Sequence, residues 1–251
     1  DFYVQRGTFA IPNGSSTYTL DPTSEYTPPS DSSRAFIRMT NTQHTGAGNT
    51  SGAAVNLPAQ DVTAYISDPA DFTNGIEFAR YGNTGDTRIS WELIEYIGPV
   101  EGDNEMIVRS AEVVEFGSGD TLSSTATIGG VDDDADIVVF VTGQGNSNIG
   151  NSSYNTGLVT AEWNATSSVA TLTRGEAGGD AISTSIAVVE FVGSNWNIQR
   201  VEHTYVTNSG FEDEPVSAVI EDQTFLHLQK RVGGGLDGLD EFAHEVYLSS
   251  S

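Results

Sequence analysis

The chain has 251 residues, 37% of them hydrophobic, which is enough for one large core or two to three small ones. Ten basic residues stand against 35 acidic ones for a formal net charge of −25, and without a basic stripe to release counterions this argues against nucleic acid and anionic membranes as partners. There are no cysteines, which removes disulfides, thiolate zinc sites and a cysteine nucleophile, and no apolar run approaches the ~20 residues needed to span a bilayer.

From the N-terminus, period-2 runs rich in Val, Ile, Thr, Phe and Tyr predict strands near 3–11, 16–20, 34–40, 61–67, 75–81 and 87–97. The long polar stretch NTQHTGAGNTSGAA at 41–54 reads as a surface loop by composition. At 89–98 the chain reads ISWELIEYIG, and after GPVEGD at 98–103 a second opening, NEMIVRSAEVVEF at 104–116, resembles the first, FYVQRGTFAI at 2–11.

The second stretch repeats the first. DADIVVFVTG around Ala135 matches SRAFIRMTN around Ala35, VTAEWNAT from Val159 matches VTAYISDP from Val62, and ATLTRGE with Arg174 matches IEFARYG with Arg80. A second polar loop, GQGNSNIGNSSYNTG at 143–157, stands where the first did, and the unit closes on ISTSIAVVEFVG at 182–193. NWNIQRVEHTYV at 195–206 then opens a third stretch, continued by QTFLHLQKRVGGG from Gln223 and FAHEVYLSSS from Phe242, with no counterpart of the ISWELIEYIG ending. The reading is an all-β fold of tandem antiparallel β-sandwich modules, immunoglobulin-like or jelly-roll-like, with little helix: 1–98, its repeat 101–193, and an incomplete third at 194–251. Linkers as short as GPVEGD and GSN predict modules stacked end to end as a rod.

Each module ending places a glutamate in an apolar row: Trp91, Leu93, Glu95 and Ile97, then Ile186, Val188, Glu190 and Val192. A carboxylate there is costly unless paired, and Arg80 and Arg174 recur as matching candidates, so the expectation is Glu95 with Arg80 and Glu190 with Arg174; a bulge turning each glutamate to solvent is the alternative.

No nucleophile elbow, HExxH, P-loop or GxGxxG occurs, and the notable acids repeat with the module, whereas an active site is built once; no catalytic residue and no enzymatic activity are expected. His44, His203, His227 and His244 are few for a shared metal site; the last three lie in candidate strands of the third stretch where they could converge, but no ligand spacing supports a metal. Calcium is the one cofactor the acidity leaves open, with Asp132, Asp133 and Asp134 in VDDDAD as weak candidates that lack the DxDxDG spacing. Asn13, Asn49, Asn151 and Asn164 begin sequons, and Tyr65 and Trp163 read as equivalent strand aromatics that can pack a core or stack on a sugar.

Endings such as WELIEYIG and VVEFVG, followed closely by an opening such as NWNIQRVEH, resemble the tandem β-sandwich modules of structural proteins of tailed phages, marine ones especially. That resemblance implies a virion protein of fibre, tail or capsid-decoration class, forming homo-oligomers and contacts with neighbouring virion proteins, with no catalytic residues to carry over. A cellular extracellular filament subunit or adhesin that assembles by β-strand complementation is the alternative, and a module binding host-surface glycans is a third; each is extracellular or on the virion.

Overall fold

The computed structural model describes residues 1–45, 63–81, 83, 85–117, 123–131, 136–146, 158–175, 181–202, 216–220, 224, 227 and 229. These form an all-β structure of twelve strands and one short 3-10 turn at Ser32–Arg34. Among the described residues no helix is long and apolar enough to cross a membrane. In the first half the strands are β1 (Phe2–Ile11), β2 (Thr17–Leu20), β3 (Ala35–Thr45), β4 (Thr63–Ile66), β5 (Ile76–Ala79) and β6 (Asp86–Tyr96). In the second half they are β7 (Ile107–Phe116), β8 (Ser123–Thr127), β9 (Ile137–Asn146), β10 (Val159–Asn164), β11 (Val169–Arg174) and β12 (Ile182–Glu190).

All pairings are antiparallel, and those of the first six strands recur in the next six. β6 lies between β1 and β3, as β12 lies between β7 and β9; β5 lies between β2 and β4, as β11 lies between β8 and β10. A register shift interrupts the β3–β6 ladder between Met39 and Asn41, and another interrupts β9–β12 between Ser185 and Ile186, so each third strand carries one extra residue at the same point. Each half buries its own core. Phe9, Ile11, Ile37, Ile66, Phe78, Trp91 and Leu93 belong to the first, and Phe116, Val139, Leu172, Ile186 and Val188 to the second. The alternation of β6 sends Thr87, Ile89, Trp91, Leu93 and Glu95 inward, which is why this strand reads so clearly in the sequence. Gly7 faces Trp91 across the ladder, and a Cβ there would lie 2.7 Å from the indole.

The registers correct the sequence alignment by two residues in two places. Glu95 faces Ala35 while Glu190 faces Ile137, so Ala35 corresponds to Ile137 rather than to Ala135. Phe78 faces Ile66 while Leu172 faces Ala161, so the fourth strands are offset by 95 residues, not the 97 that matching VTA to VTA suggests. A slip of two preserves which side chains face inward, so hydrophobic pattern alone cannot detect it. By the same ladder Tyr65 corresponds to Thr160, and the expected equivalence of Tyr65 and Trp163 fails. Residues 41–45 and 143–146, read as loop, continue β3 and β9.

The halves do not meet only at their ends, as the rod expectation held. β4 pairs with β9 at Thr63 to Gly145 and Ala64 to Gln144, which joins β2-β5-β4 and β9-β12-β7 into one six-stranded sheet. A third apolar cluster, containing Phe36, Tyr96, Met106, Phe140, Val189 and Phe191, draws residues from both halves, and Phe36 stacks on Phe140 with centroids 4.9 Å apart. Of the expected opening strand at 195–206, residues 195–202 belong to none of the three sheets.

Candidate functional site

The buried charges form the first part of the candidate site. Arg80 and Glu95 are each 5% exposed, Arg174 1% and Glu190 0%, so all four lie inside, and the bulge alternative that would turn the glutamates to solvent is not what the structure adopts. The expected pairs do not form either. The Arg80 guanidinium reaches Thr87 Oγ1 at 2.7 Å and donates to the carbonyls of Pro12, Ser15 and Gly85, tying together the turns at one end of β6. Burial presses its pKa below the ordinary arginine value, opposed by the charge of Asp86. Glu95, eight residues further along β6 and therefore about 26 Å from Thr87 at ~3.3 Å per residue, accepts from the Ser30 amide at 2.8 Å and the Ser30 hydroxyl at 2.7 Å. In the second half the Arg174 guanidinium sits over the Phe116 ring at 5.3 Å, beside the start of β12, while Glu190 at the far end of β12 pairs with Arg109 Nε at 2.5 Å. Recurrence in sequence was real, but it marks two separate fixtures at opposite ends of each sandwich.

The second part is the pole where the three chain openings converge. Arg34 ion-pairs with buried Glu105, donates to the Gly98 carbonyl at 3.0 Å and lies 4.9 Å over the Tyr96 ring. Glu105 in turn accepts from the Glu101 amide at 2.7 Å, and its carbonyl takes the Gly193 amide and the Trp196 indole N–H, both at 3.1 Å. The Asp1 carbonyl accepts from the Ile97 amide, Asp1 Oδ2 accepts from Asn104 Nδ2, and Asn195 Nδ2 donates to Asn104 Oδ1 at 2.9 Å. The Trp196 ring meets Phe191 at 4.6 Å and Phe2 at 5.8 Å, and Phe2 meets Tyr96 at 5.4 Å. Linkers 98–106 and 193–196 are thus bound to each other and act as rigid joints rather than tethers. Nothing in the spacing of GPVEGD and GSN announced this; the signal that could have found it is the polar-then-large-apolar opening Asp1-Phe2, Glu105-Met106 and Asn195-Trp196 at each start.

The third part is a seam of polar contacts across the halves. Tyr81 shares a 2.7 Å hydrogen bond with Ser183, whose hydroxyl donates to Glu115 at 2.8 Å, and Tyr81 and Tyr65 lie with centroids 6.3 Å apart. Burial pushes the Tyr81 hydroxyl up from its ordinary pKa.

Of the remaining sequence candidates, Asp132, Asp133 and Asp134 fall outside the described residues, as do His203, His244, Asn49 and Asn151. Among the described residues no group of three His, Asp or Glu is placed to hold a metal. Asn13 sits in an exposed turn, accepting from the Gly85 amide, and Asn164 ends β10. No protein-family model, no curated protein and no solved structure matches the chain.

Proposed function

We propose that this is a non-catalytic structural protein of a phage virion, of fibre, tail or capsid-decoration class, built from repeated β-sandwich units spanning 1–98, 101–193 and 194–251. The observation that carries the structural role is the joint: two halves of matching topology share a sheet through β4 and β9 and are clamped at one pole by Arg34, Glu105 and Trp196. A chain that spends its buried charges on holding turns and linkers in place is suited to bear load and fix spacing between neighbours. The virion assignment rests on the resemblance of the module endings to phage structural modules, and the charge of −25 suits a surface packed at high density.

The test is immunogold labelling with antibodies to this chain, applied to purified phage particles and to the cells that produce them. Label at regular positions on capsid or tail supports the virion role. Label confined to cell-surface filaments overturns it in favour of a filament subunit or adhesin.

A further inference from the structure

The joint between the first and second halves has two contacts that can be looked for again. The third strand of the incoming half, β9, lays the Phe140 ring on Phe36 of the preceding third strand at 4.9 Å, and it sets Gln144 opposite Ala64 of the preceding fourth strand. His227 repeats the ring contact, and Gln229 reaches the corresponding strands through its side chain rather than through a ladder. The His227 ring meets Phe140 of β9 at 4.8 Å, and the Gln229 side chain accepts from the Ala161 amide of β10 while donating to the Val139 carbonyl of β9, both at 2.6 Å. β10 is the strand whose counterpart, β4, receives β9.

The opening of the third stretch is anchored in the same style as that of the first. Gln5 in VQR exchanges two hydrogen bonds with the Thr27 backbone, both 2.7 Å, and Gln199 in IQR exchanges two with the Ser217 backbone, at 2.6 and 3.2 Å. Trp196 and Ile198 pack on the cluster shared by the two halves.

We infer that His227 and Gln229 are the contact by which the third stretch docks on β9 and β10, and that His227 makes this joint acid-labile. The inference rests on reading 194–251 as a third unit, but not on where the protein resides. The second half of the inference comes from chemistry at one position. Where the first joint presents the uncharged ring of Phe140, the second presents an imidazole whose Nε2 is buried with no hydrogen-bond partner among the described residues. The charge of Arg38 on β3 opposes a proton on it; Arg38 binds Glu92 of β6 at 2.7 Å, and Arg6 of β1 holds that same carboxylate at 2.7 Å. β9 presents the Phe140 ring and β10 the Ala161 amide bound by Gln229. A proton on the imidazole would add a cation within the field of Arg38, whose carboxylate is already shared. Burial first, and Arg38 second, push the His227 pKa down from 6.5 to about 4. If the free segment titrates normally, docking weakens by up to roughly 300-fold once the pH is well below 4.

The experiment follows the Ala161 amide signal by NMR in the full chain from pH 7.5 to 4, in wild type, Gln229→Ala and His227→Phe. The expected results are a hydrogen-bonded Ala161 amide at neutral pH in wild type, loss of that position on acidification, the free position at every pH in Gln229→Ala, and retention of the bonded position in His227→Phe. An Ala161 signal that ignores Gln229→Ala overturns the docking. A His227→Phe variant that releases at the same pH as wild type overturns the acid latch. Neither result depends on immunogold labelling, so failure here and failure of the virion role are separable.

Discussion

A double-mutant cycle on Arg80 and Glu95 measures whether the two recurrent buried charges are one ion pair or two independent fixtures. Arg80→Met removes five hydrogen bonds, to Thr87 Oγ1 and to the carbonyls of Pro12, Ser15 and Gly85, the last of these acceptors being served from Nη2. Stranding such acceptors in a buried site costs about 3–5 kcal/mol, by analogy with a broken buried ion pair. Glu95→Gln keeps an acceptor oxygen for Ser30 but loses the charge that strengthens both bonds, a cost of about 1–2 kcal/mol. With about 26 Å of β6 between their sites, the two effects should add within about 0.5 kcal/mol in urea denaturation. A coupling energy of ~2 kcal/mol or more would show that the charges sense each other directly and would refute the separation read from the ladder.

Gly193→Ala should destabilise by about 1–3 kcal/mol, because its Cβ would lie 2.6 Å from the Glu105 amide nitrogen and also meet the Asp103 backbone, and neither can swing aside. Gly129→Ala, with nothing within 4 Å, is the neutral control in the same thermal melts. The Glu92 carboxyl is pushed up by burial but pulled further down by Arg6 and Arg38, so its pKa lies below the ordinary 4.5. A depressed carboxylate contributes stability above its unfolded pKa and loses it as pH falls through the folded value, so wild type should lose more stability below about pH 4.5 than Glu92→Gln does. Urea midpoints taken from pH 6 to 3 check this; equal slopes for the two proteins would contradict it.

Much of this fold was legible because β-strands advertise themselves by period. Phe9 and Ile11, then Ile89, Trp91 and Leu93, alternate with polar neighbours, and all six predicted strands of the first half exist within a few residues of where the alternation put them. What failed was everything that period 2 cannot carry. Matching VTA to VTA slipped the alignment by two residues without disturbing burial, and side-chain partners chosen by recurrence alone placed Arg80 with Glu95, although strand length separates them. The joint was the least legible part. Its contacts are between residues far apart in sequence, such as Arg34 with Glu105 and Trp196 with Phe2, and short linkers constrain distance but not direction.

The first and second halves lie side by side, and the openings of the three stretches gather at one pole. The chain has no cysteine of its own, so Asn104→Cys with Asn195→Cys gives a clean pair of labels at positions whose side chains hydrogen-bond at 2.9 Å. Rapid, near-complete intramolecular cross-linking by a short bifunctional maleimide is the predicted result. Units stacked end to end would separate the two openings by about one ten-residue strand, roughly 33 Å. No cross-link, with a spin-label distance near that value, would contradict the account.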